Sequence, residues 1–256
     1  MNSFFRKIIS LIVGLLILAV AFQSMRINHY THRTPYTQKP FERILPESSL
    51  KILFLGDSTA VGTGAGDPQT SVAGWFGQEF PDAHIMNRSA NGRKLRDVLQ
   101  TFLTLPEDHY QLVVIQVGAN DIMRFTSLDV IRHEVSDVLK QAQVISEHVV
   151  ILHSADVGTA PIFTWPMSWI YSWRSKKVRE IYLDMEKNLG ILYVDLFAYK
   201  TDDIFLSDKG KYYAKDFLHL SADGYRIWYE AIRARLERAR AWEGLHAHQN
   251  SLVVSN

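Results

Sequence analysis

Apolar residues occur along this chain in two patterns that alternate from about residue 50 onwards. Short continuous apolar runs suit strands that are buried on both faces, whereas longer stretches with a helical period suit amphipathic helices. The alternation predicts an α/β fold whose parallel sheet carries helices on both faces. The predicted strands cover residues 52–55, 84–87, 112–117, 149–152 and 191–196, and the predicted helices cover residues 72–80, 93–105, 128–146, 176–189 and 222–242.

The amino-terminal pattern differs, because residues 8–22 are apolar without a polar face. Arg6 and Lys7 precede this stretch, as basic residues do in a secretory signal peptide. Counted over residues 4–22, the stretch nearly reaches the roughly 20 residues that a membrane-spanning helix needs. We therefore expect residues 1–24 to be a signal-anchor or a signal peptide, with an uncleaved anchor favoured. In either case the rest of the chain is expected in the cell envelope outside the cytoplasm, or secreted if the leader is removed.

The remaining chain divides into three predicted segments. Residues 25–49 are polar, contain three prolines and show no period, so they are predicted to be a linker. Residues 50–244 hold the whole α/β pattern and are predicted to be one domain. Residues 245–256 are predicted to be a flexible tail.

Composition and charge narrow the classes of function. The formal net charge is +1, without the concentrated basic face of nucleic-acid-binding proteins, so no nucleic-acid partner is expected. The chain contains no cysteine, which excludes disulfides, thiolate metal ligands and a cysteine nucleophile.

Candidate hydrogen-bond donors follow three of the predicted strands. Ser58 comes just after the first strand, Gly92 after the second and Asn120 after the third. Because the carboxyl ends of parallel strands meet at the edge where open α/β sheets bind ligands, we expect these residues to lie close together. Two simpler interpretations stay open, since Ser58 could cap a helix and the Gly and Asn residues could serve only to form turns.

A histidine and an aspartate precede the last predicted helix at the spacing Asp216-x-x-His219. A carboxylate three residues before a histidine can bind the imidazole Nδ1 and leave Nε2 free as a base. The alternative is an exposed loop in which the two residues are unrelated.

Taken in order, Gly56-Asp57-Ser58, Gly92, Gly118-x-Asn120-Asp121 and Asp216-x-x-His219 resemble the four sequence blocks of the GDSL/SGNH hydrolase family. One departure is Thr59, which stands where the family's name pattern has leucine. The resemblance implies a three-layer α/β/α, flavodoxin-like fold with a mostly parallel five-stranded sheet, and it makes residues 50–244 an SGNH-type hydrolase domain.

The resemblance also implies roles for individual residues. Ser58 would be the nucleophile, His219 the general base and then acid, and Asp216 the residue that orients His219. The oxyanion hole would consist of the Ser58 and Gly92 N–H groups and the Asn120 side-chain amide. The implied reaction is ester hydrolysis through an acyl-enzyme, with no metal and no organic cofactor.

Several other signals compete with this interpretation. Gly62, Gly64 and Gly66 faintly resemble a dinucleotide fingerprint, but the required spacing is absent. His153 and Asp156 follow the fourth predicted strand and are rival acid–base candidates, although loop or substrate contacts are preferred for them. The pair His246-x-His248 has at most a weak metal-binding pattern. The tryptophans at 165, 169 and 173, together with Tyr171, are expected to be core or interface packing, with a lip that contacts acyl chains or a membrane as the alternative.

Three functions are compatible with these residues. The first is a serine hydrolase of carboxylic esters such as lipid, lysophospholipid or short-chain acyl esters. The second is a carbohydrate O-acetylesterase or acyltransferase that acts on cell-envelope glycans. The third, from a different class, is a binding module that has kept the fold without the reaction.

Overall fold

The computed structural model describes residues 3–31, 33, 38–106, 108–197 and 204–250. Within these ranges five strands form one parallel sheet in the order β2-β1-β3-β4-β5. This strand order is that of flavodoxin-like folds. The strands are β1 (Lys51–Gly56), β2 (His84–Asn87), β3 (Tyr110–Gln116), β4 (Ser146–Leu152) and β5 (Leu192–Tyr193).

Helices cover both faces of the sheet, which gives three layers. The connections from β1 to β2 and from β2 to β3 run in opposite directions along the sheet, and right-handed crossovers then place their helices on opposite faces. The predicted three-layer α/β/α fold is confirmed. The helices are α1 (Ser3–Thr31), α2 (Ser58–Val61), α3 (Val72–Glu79), α4 (Leu95–Thr101), α5 (Ala119–Met123), α6 (Leu128–Ile145), α7 (Met167–Leu189), α8 (Ile204–Ser207), α9 (Lys209–Tyr212), α10 (Ala222–Arg238) and α11 (Ala241–Asn250).

The central strands end level with one another, and this alignment prepares the site. In the register of the sheet Gly56 of β1 pairs with Gln116 of β3, and Phe54 pairs with Asn87 of β2. Every residue of β1 from Ile52 to Gly56 is buried, as its unbroken apolar run predicts for a strand covered on both sides. The loops that follow β1, β2 and β3 therefore emerge at one edge.

The segment predicted as a linker is largely structured, which corrects that expectation. Helix α1 continues past the apolar stretch to Thr31, and Arg43, Leu45 and Ser48 form hydrogen bonds with the domain. Arg43 forms an antiparallel bridge with Ile85, and its guanidinium donates hydrogen bonds to the carbonyl oxygens of Gly77 and Phe80 at 2.9 and 3.0 Å. Proline content suggested an unpaired chain, but the free edge of β2 provides backbone partners.

The predicted flexible tail also differs from the structure. Helix α10 ends at Arg238, Arg240 adopts a positive φ of 58°, and α11 then runs to Asn250. Leu245 on α11 is buried, so the domain extends past residue 244. Residues 251–256 lie outside the described residues.

Helix α7 also differs from its predicted bounds. The helix begins at Met167, nine residues before the predicted start at 176, and buries Tyr171 and Arg174 in its first turns.

Among the described residues, α1 is the one helix that is long and apolar enough to cross a membrane, and a signal sequence has the same length and composition.

Candidate active site

The loop after β1 presents Ser58 at the carboxyl edge of the sheet. Gly56 has φ +153°, and a Cβ at this position would lie 2.0 Å from the Gln116 carbonyl oxygen, so the close approach of β1 to β3 requires glycine. Asp57 caps α2, with its Oδ1 accepting hydrogen bonds from the N–H and the hydroxyl of Thr59 at 2.8 Å each. Ser58 is the first residue of α2, so the alternative in which it caps the helix is wrong. Its hydroxyl is left available for another partner.

A short closed loop before α10 holds the second half of the site. Tyr213 and Leu220 pair as an antiparallel bridge and thereby close the loop between them. Inside the loop, Asp216 Oδ1 accepts the backbone N–H groups of Leu218 and His219 at 2.9 Å each. The carboxylate therefore shapes the backbone that carries the imidazole.

The structure brings Ser58, His219 and Asp216 into one hydrogen-bonded chain. Asp216 Oδ2 lies 2.7 Å from His219 Nδ1, and His219 Nε2 lies 3.0 Å from Ser58 Oγ. Asp216 is fully buried and His219 is nearly so. With Nδ1–H donating to the carboxylate, the lone pair of Nε2 faces the serine hydroxyl and can accept its proton.

The environment of Asp216 keeps it ionised. Burial alone would raise the pKa of this carboxyl, but the hydrogen bond and the charge of His219, with the N–H groups of Leu218 and His219, outweigh burial and lower the pKa below its ordinary value. The carboxylate is therefore charged at neutral pH.

Two residues predicted to supply hydrogen-bond donors to the oxyanion hole line the same cavity as Ser58. Gly92 has φ +77°, a left-handed conformation that favours glycine, and it lines the same cavity as Ser58 and Asn120. One Nδ2 hydrogen of Asn120 is directed to the Arg93 carbonyl oxygen at 3.0 Å, which fixes the amide and leaves the second hydrogen for another acceptor. The Ser58 N–H, at the start of α2, has no acceptor within the helix.

These groups line a cavity of about 340 Å³. The volume falls at the lower end of the range for small-molecule sites, roughly 300 to 1,000 Å³. One part of the wall is apolar and another is polar. The apolar wall includes Met123, Val157, Phe205, Leu220 and Trp228, and the polar wall includes Asn91, Ser154, Asp156 and Thr159.

Gly64 lies against the loop that carries His219, although its sequence pattern resembled only a nucleotide-binding fingerprint. It adopts φ +97°, and a Cβ at this position would lie 2.5 Å from the Leu220 carbonyl oxygen and 2.9 Å from the His219 Cβ. The glycine-rich turn therefore allows the loop with the imidazole to approach α2. The periodic spacing of the glycines gave no sign of this contact, because its partner lies more than 150 residues later in the chain.

Asp57 is a second residue whose environment could not be read from the sequence. Complete burial raises the pKa of its carboxyl to about 6, although the hydrogen bonds from Thr59 act in the opposite direction. Its second oxygen, Oδ2, is buried and has no hydrogen-bond partner within the described part of the chain.

The rival acid–base candidates have hydrogen-bond partners other than Ser58. His153 is fully buried, with its Nδ1 2.8 Å from the Tyr193 hydroxyl, and burial lowers its pKa to about 4. Asp156 lines the cavity but caps a short 3₁₀ helix through a 2.9 Å hydrogen bond from the Gly158 N–H.

Of the pair considered as a weak metal-binding pattern, His246 packs on Phe80. In the ranges that the structure describes, no group of three or more His, Asp or Glu side chains is arranged to hold a metal ion.

The tryptophans near the start of α7 do not pack as expected. Trp165, Trp169 and Trp173 expose 67%, 66% and 50% of their surface, so the core interpretation is wrong for these three residues. The core interpretation is right for Tyr171, which is buried between Phe163 and Phe125. Aromatic content alone could not distinguish the inner face of this helix from its outer face.

Several solved structures share this fold. The crystal structure of TesA matches with a TM-score of 0.58 at 18% identity, covering 73% of this chain and 98% of TesA. A lipolytic protein of the G-D-S-L family from Veillonella parvula matches with a TM-score of 0.57 at 14% identity, covering 71% of this chain and 95% of its own. The acetyl xylan esterase Axe2 from Geobacillus stearothermophilus matches with a TM-score of 0.54 at 20% identity, covering 74% and 95%.

At these identities the structural matches show a shared fold. No curated protein matches the chain by sequence. The model of the GDSL-like lipase/acylhydrolase family matches residues 54–227, well over half of the 256 residues, and this span includes Ser58, Asp216 and His219. The chain therefore belongs to the GDSL-like lipase/acylhydrolase family.

Proposed function

We propose that this protein is a serine hydrolase of carboxylic esters that works through an acyl-enzyme on Ser58. The observation that carries the proposal is the hydrogen-bonded chain from Asp216 through His219 to Ser58, with distances of 2.7 and 3.0 Å. Membership in a family of lipases and acylhydrolases agrees with this chemistry.

In the first step Ser58 Oγ attacks the carbonyl carbon of the ester while His219 Nε2 takes the hydroxyl proton. The charged carboxylate of Asp216 holds the neutral imidazole in the tautomer with a proton on Nδ1 and then stabilises the imidazolium that forms. Negative charge develops on the carbonyl oxygen, which the Ser58 and Gly92 N–H groups and the remaining Asn120 amide hydrogen stabilise. Such donors are each worth on the order of 100- to 1,000-fold in rate.

In the second half of the reaction the imidazolium donates its proton to the departing alcohol, and the acyl group stays on Ser58. A water molecule then gives a proton to His219 Nε2 and attacks the acyl carbon. The carboxylic acid leaves and Ser58 Oγ recovers its proton from the imidazolium. A sugar or another alcohol in place of this water would give acyl transfer.

The apolar wall of the cavity favours acyl esters as substrates. Met123, Val157 and Phe205 offer an apolar surface beside the serine, and the volume of about 340 Å³ suits a small acyl group. We expect turnover of short and medium acyl chains, from acetyl to octanoyl p-nitrophenyl esters. The measurement is kcat/KM across this series for the wild type and the Ser58→Ala variant, and equal hydrolysis by both would refute the proposal.

A carbohydrate O-acetylesterase or acyltransferase is the second candidate, and one observation favours it. Ser154 lines the polar wall of the cavity, and its Oγ is buried without a hydrogen-bond partner among the described residues, so rotation of this side chain would let a substrate hydroxyl satisfy it. The neighbouring structure Axe2 is described as an acetyl xylan esterase. Release of acetate from acetylated glycans, lowered in a Ser154→Ala variant that still cleaves p-nitrophenyl acetate, would support this candidate.

The amino-terminal helix supports a location in the cell envelope. We propose that residues 4–22 anchor the protein in a membrane as an uncleaved signal-anchor and that the hydrolase domain lies outside the cytoplasm. Helix α1 has the length and composition of a spanning helix. Flotation of the full chain with phosphatidylcholine vesicles after extraction with alkaline carbonate is expected for an anchor, whereas a cleaved signal peptide would leave a soluble protein.

A further inference from the structure

Three exposed tryptophans form one stripe beside α1. Trp169 and Trp173 lie one turn apart on α7 and therefore share one helical face, and Trp165 lies in the turn that precedes the helix. At least half of each side chain is exposed. Large aromatic residues exposed together are unusual on a soluble surface and commonly mark an interaction site.

The end of α1 docks directly onto the chain that leads into this stripe. Gln23 is 4% exposed, and its Nε2 donates to the Ile162 carbonyl oxygen at 3.1 Å. Its Oε1 accepts the N–H and the hydroxyl of Thr164 at 2.8 and 2.9 Å. Arg26 adds a hydrogen bond to the Pro161 carbonyl oxygen at 3.0 Å. These contacts connect α1 to the residue immediately before Trp165.

The contacts set the height of the stripe relative to a bilayer. Residues 4–22 of α1 span about 28 Å at 1.5 Å per residue, close to the roughly 30 Å of a bilayer core. Gln23 is therefore placed where the helix leaves the apolar core, and Thr164 and Trp165 lie at the same level. This is the interfacial zone in which tryptophan is enriched in membrane proteins.

The docked segment is also joined to the loop that carries His219. The Ile162 N–H donates to the Phe217 carbonyl oxygen at 3.1 Å, and the Tyr30 ring of α1 packs edge-on against the Phe217 ring at 5.1 Å. Phe217 is next to Asp216 and two residues before His219. The carboxyl end of α1, the stripe and the catalytic loop thus form one contiguous region.

From this arrangement we propose that the hydrolase domain rests on the lipid surface through Trp165, Trp169 and Trp173. The occupant of the stripe is the interfacial layer of the same bilayer that α1 spans. The inference rests on the proposed anchor, and it adds that the domain itself contacts lipid. It places the cavity at the membrane surface, where esters carried by lipids or by envelope glycans are presented.

Tryptophan fluorescence provides the test, because brominated lipids quench tryptophans only on contact. The full chain is reconstituted in phosphatidylcholine vesicles with or without bromine atoms near the ester end of the acyl chains. The stripe supplies three of the six tryptophans, so brominated lipid should remove up to about half of the emission of the wild type. The combined Trp165→Phe, Trp169→Phe and Trp173→Phe variant should lose nearly all of this quenching, and each single variant roughly a third.

Trp75→Phe is the matched control. Trp75 stacks on Tyr229 of α10, away from the docked end of α1, and its replacement should leave the quenched emission unchanged. Labelling of Ser58 by a fluorophosphonate reports whether each variant is folded and should be the same in all. Protein that floats with the vesicles but shows no quenching, or equal quenching in the triple variant, overturns the inference and leaves the anchor intact. Protein that fails to float contradicts the anchor as well as the stripe.

Discussion

A methyl group at position 64 is expected to reduce catalysis by displacing the base. In Gly64→Ala the new Cβ would meet the Leu220 carbonyl oxygen at 2.5 Å and the His219 Cβ at 2.9 Å, whereas ordinary contacts begin at 3.4 Å. The two segments must therefore separate by roughly 0.9 Å at the tighter contact. A shift of that size would lengthen the 3.0 Å distance between His219 Nε2 and Ser58 Oγ beyond hydrogen-bond reach.

Misplacement by about 1 Å can lower a rate on the order of 100-fold, and we expect a fall of this size in kcat/KM for p-nitrophenyl acetate. Gly66→Ala is the matched control. Gly66 also has a positive φ, +84°, but a Cβ there meets nothing within 4 Å. Both variants share the backbone strain, roughly 1–2 kcal/mol, and Gly64→Ala should unfold at a lower urea concentration than Gly66→Ala because it alone adds the steric contact. Only Gly64→Ala should lose activity, so equal rates in the two variants would refute the idea that this contact positions His219.

Other substitutions test separate parts of the site. Asp216→Asn should lower kcat on the order of 10⁴-fold with little change in KM, because an amide no longer holds the imidazole tautomer, and a fall of less than tenfold in steady-state kinetics would argue against this role. Asn120→Ala should lower kcat about 100- to 1,000-fold in the same assay while fluorophosphonate binding to Ser58 persists. Asp57→Asn should change the pH dependence of stability, because the raised pKa of about 6 means that burial of the charged form costs stability as pH rises from about 4 to above 6. Relative to the wild type, this variant should gain on the order of 3 kcal/mol of unfolding free energy between pH 4 and pH 8 in urea titrations, and a constant difference would contradict the pKa.

The sequence predicted the alternating strands and helices because each buried strand is an unbroken apolar run. It also predicted which loops meet, since parallel strands place their carboxyl ends together. The structure indeed sets Ser58, Asp216 and His219 within hydrogen-bond reach, and their catalytic roles stay proposals. The four blocks could be read locally, because three of them combine glycine with a polar residue at the end of a strand and the fourth places Asp216 three residues before His219 ahead of a helix.

Features that depend on tertiary contact could not be predicted in this way. Arg43 pairs with β2 in a segment whose prolines indicated a linker. This pairing could not be predicted because the partner strand lies some forty residues later in the chain. Leu245 lies on a helix that follows a break at Arg240, and it is buried in the domain core. The exposure of Trp169 depends on which side of α7 faces the domain, and the identity of a residue carries no information on that choice.

Covalent labelling of Ser58 tests the central claim most directly. The full chain is treated with a fluorophosphonate, and the modified peptide is located by mass spectrometry in the wild type and in the Ser58→Ala and His219→Ala variants. We predict one adduct on Ser58 in the wild type, none in Ser58→Ala and a strongly slowed reaction in His219→Ala. An unlabelled wild type, or labelling at an unchanged rate without His219, would contradict an activated serine at this site and would favour a binding module that has kept only the fold.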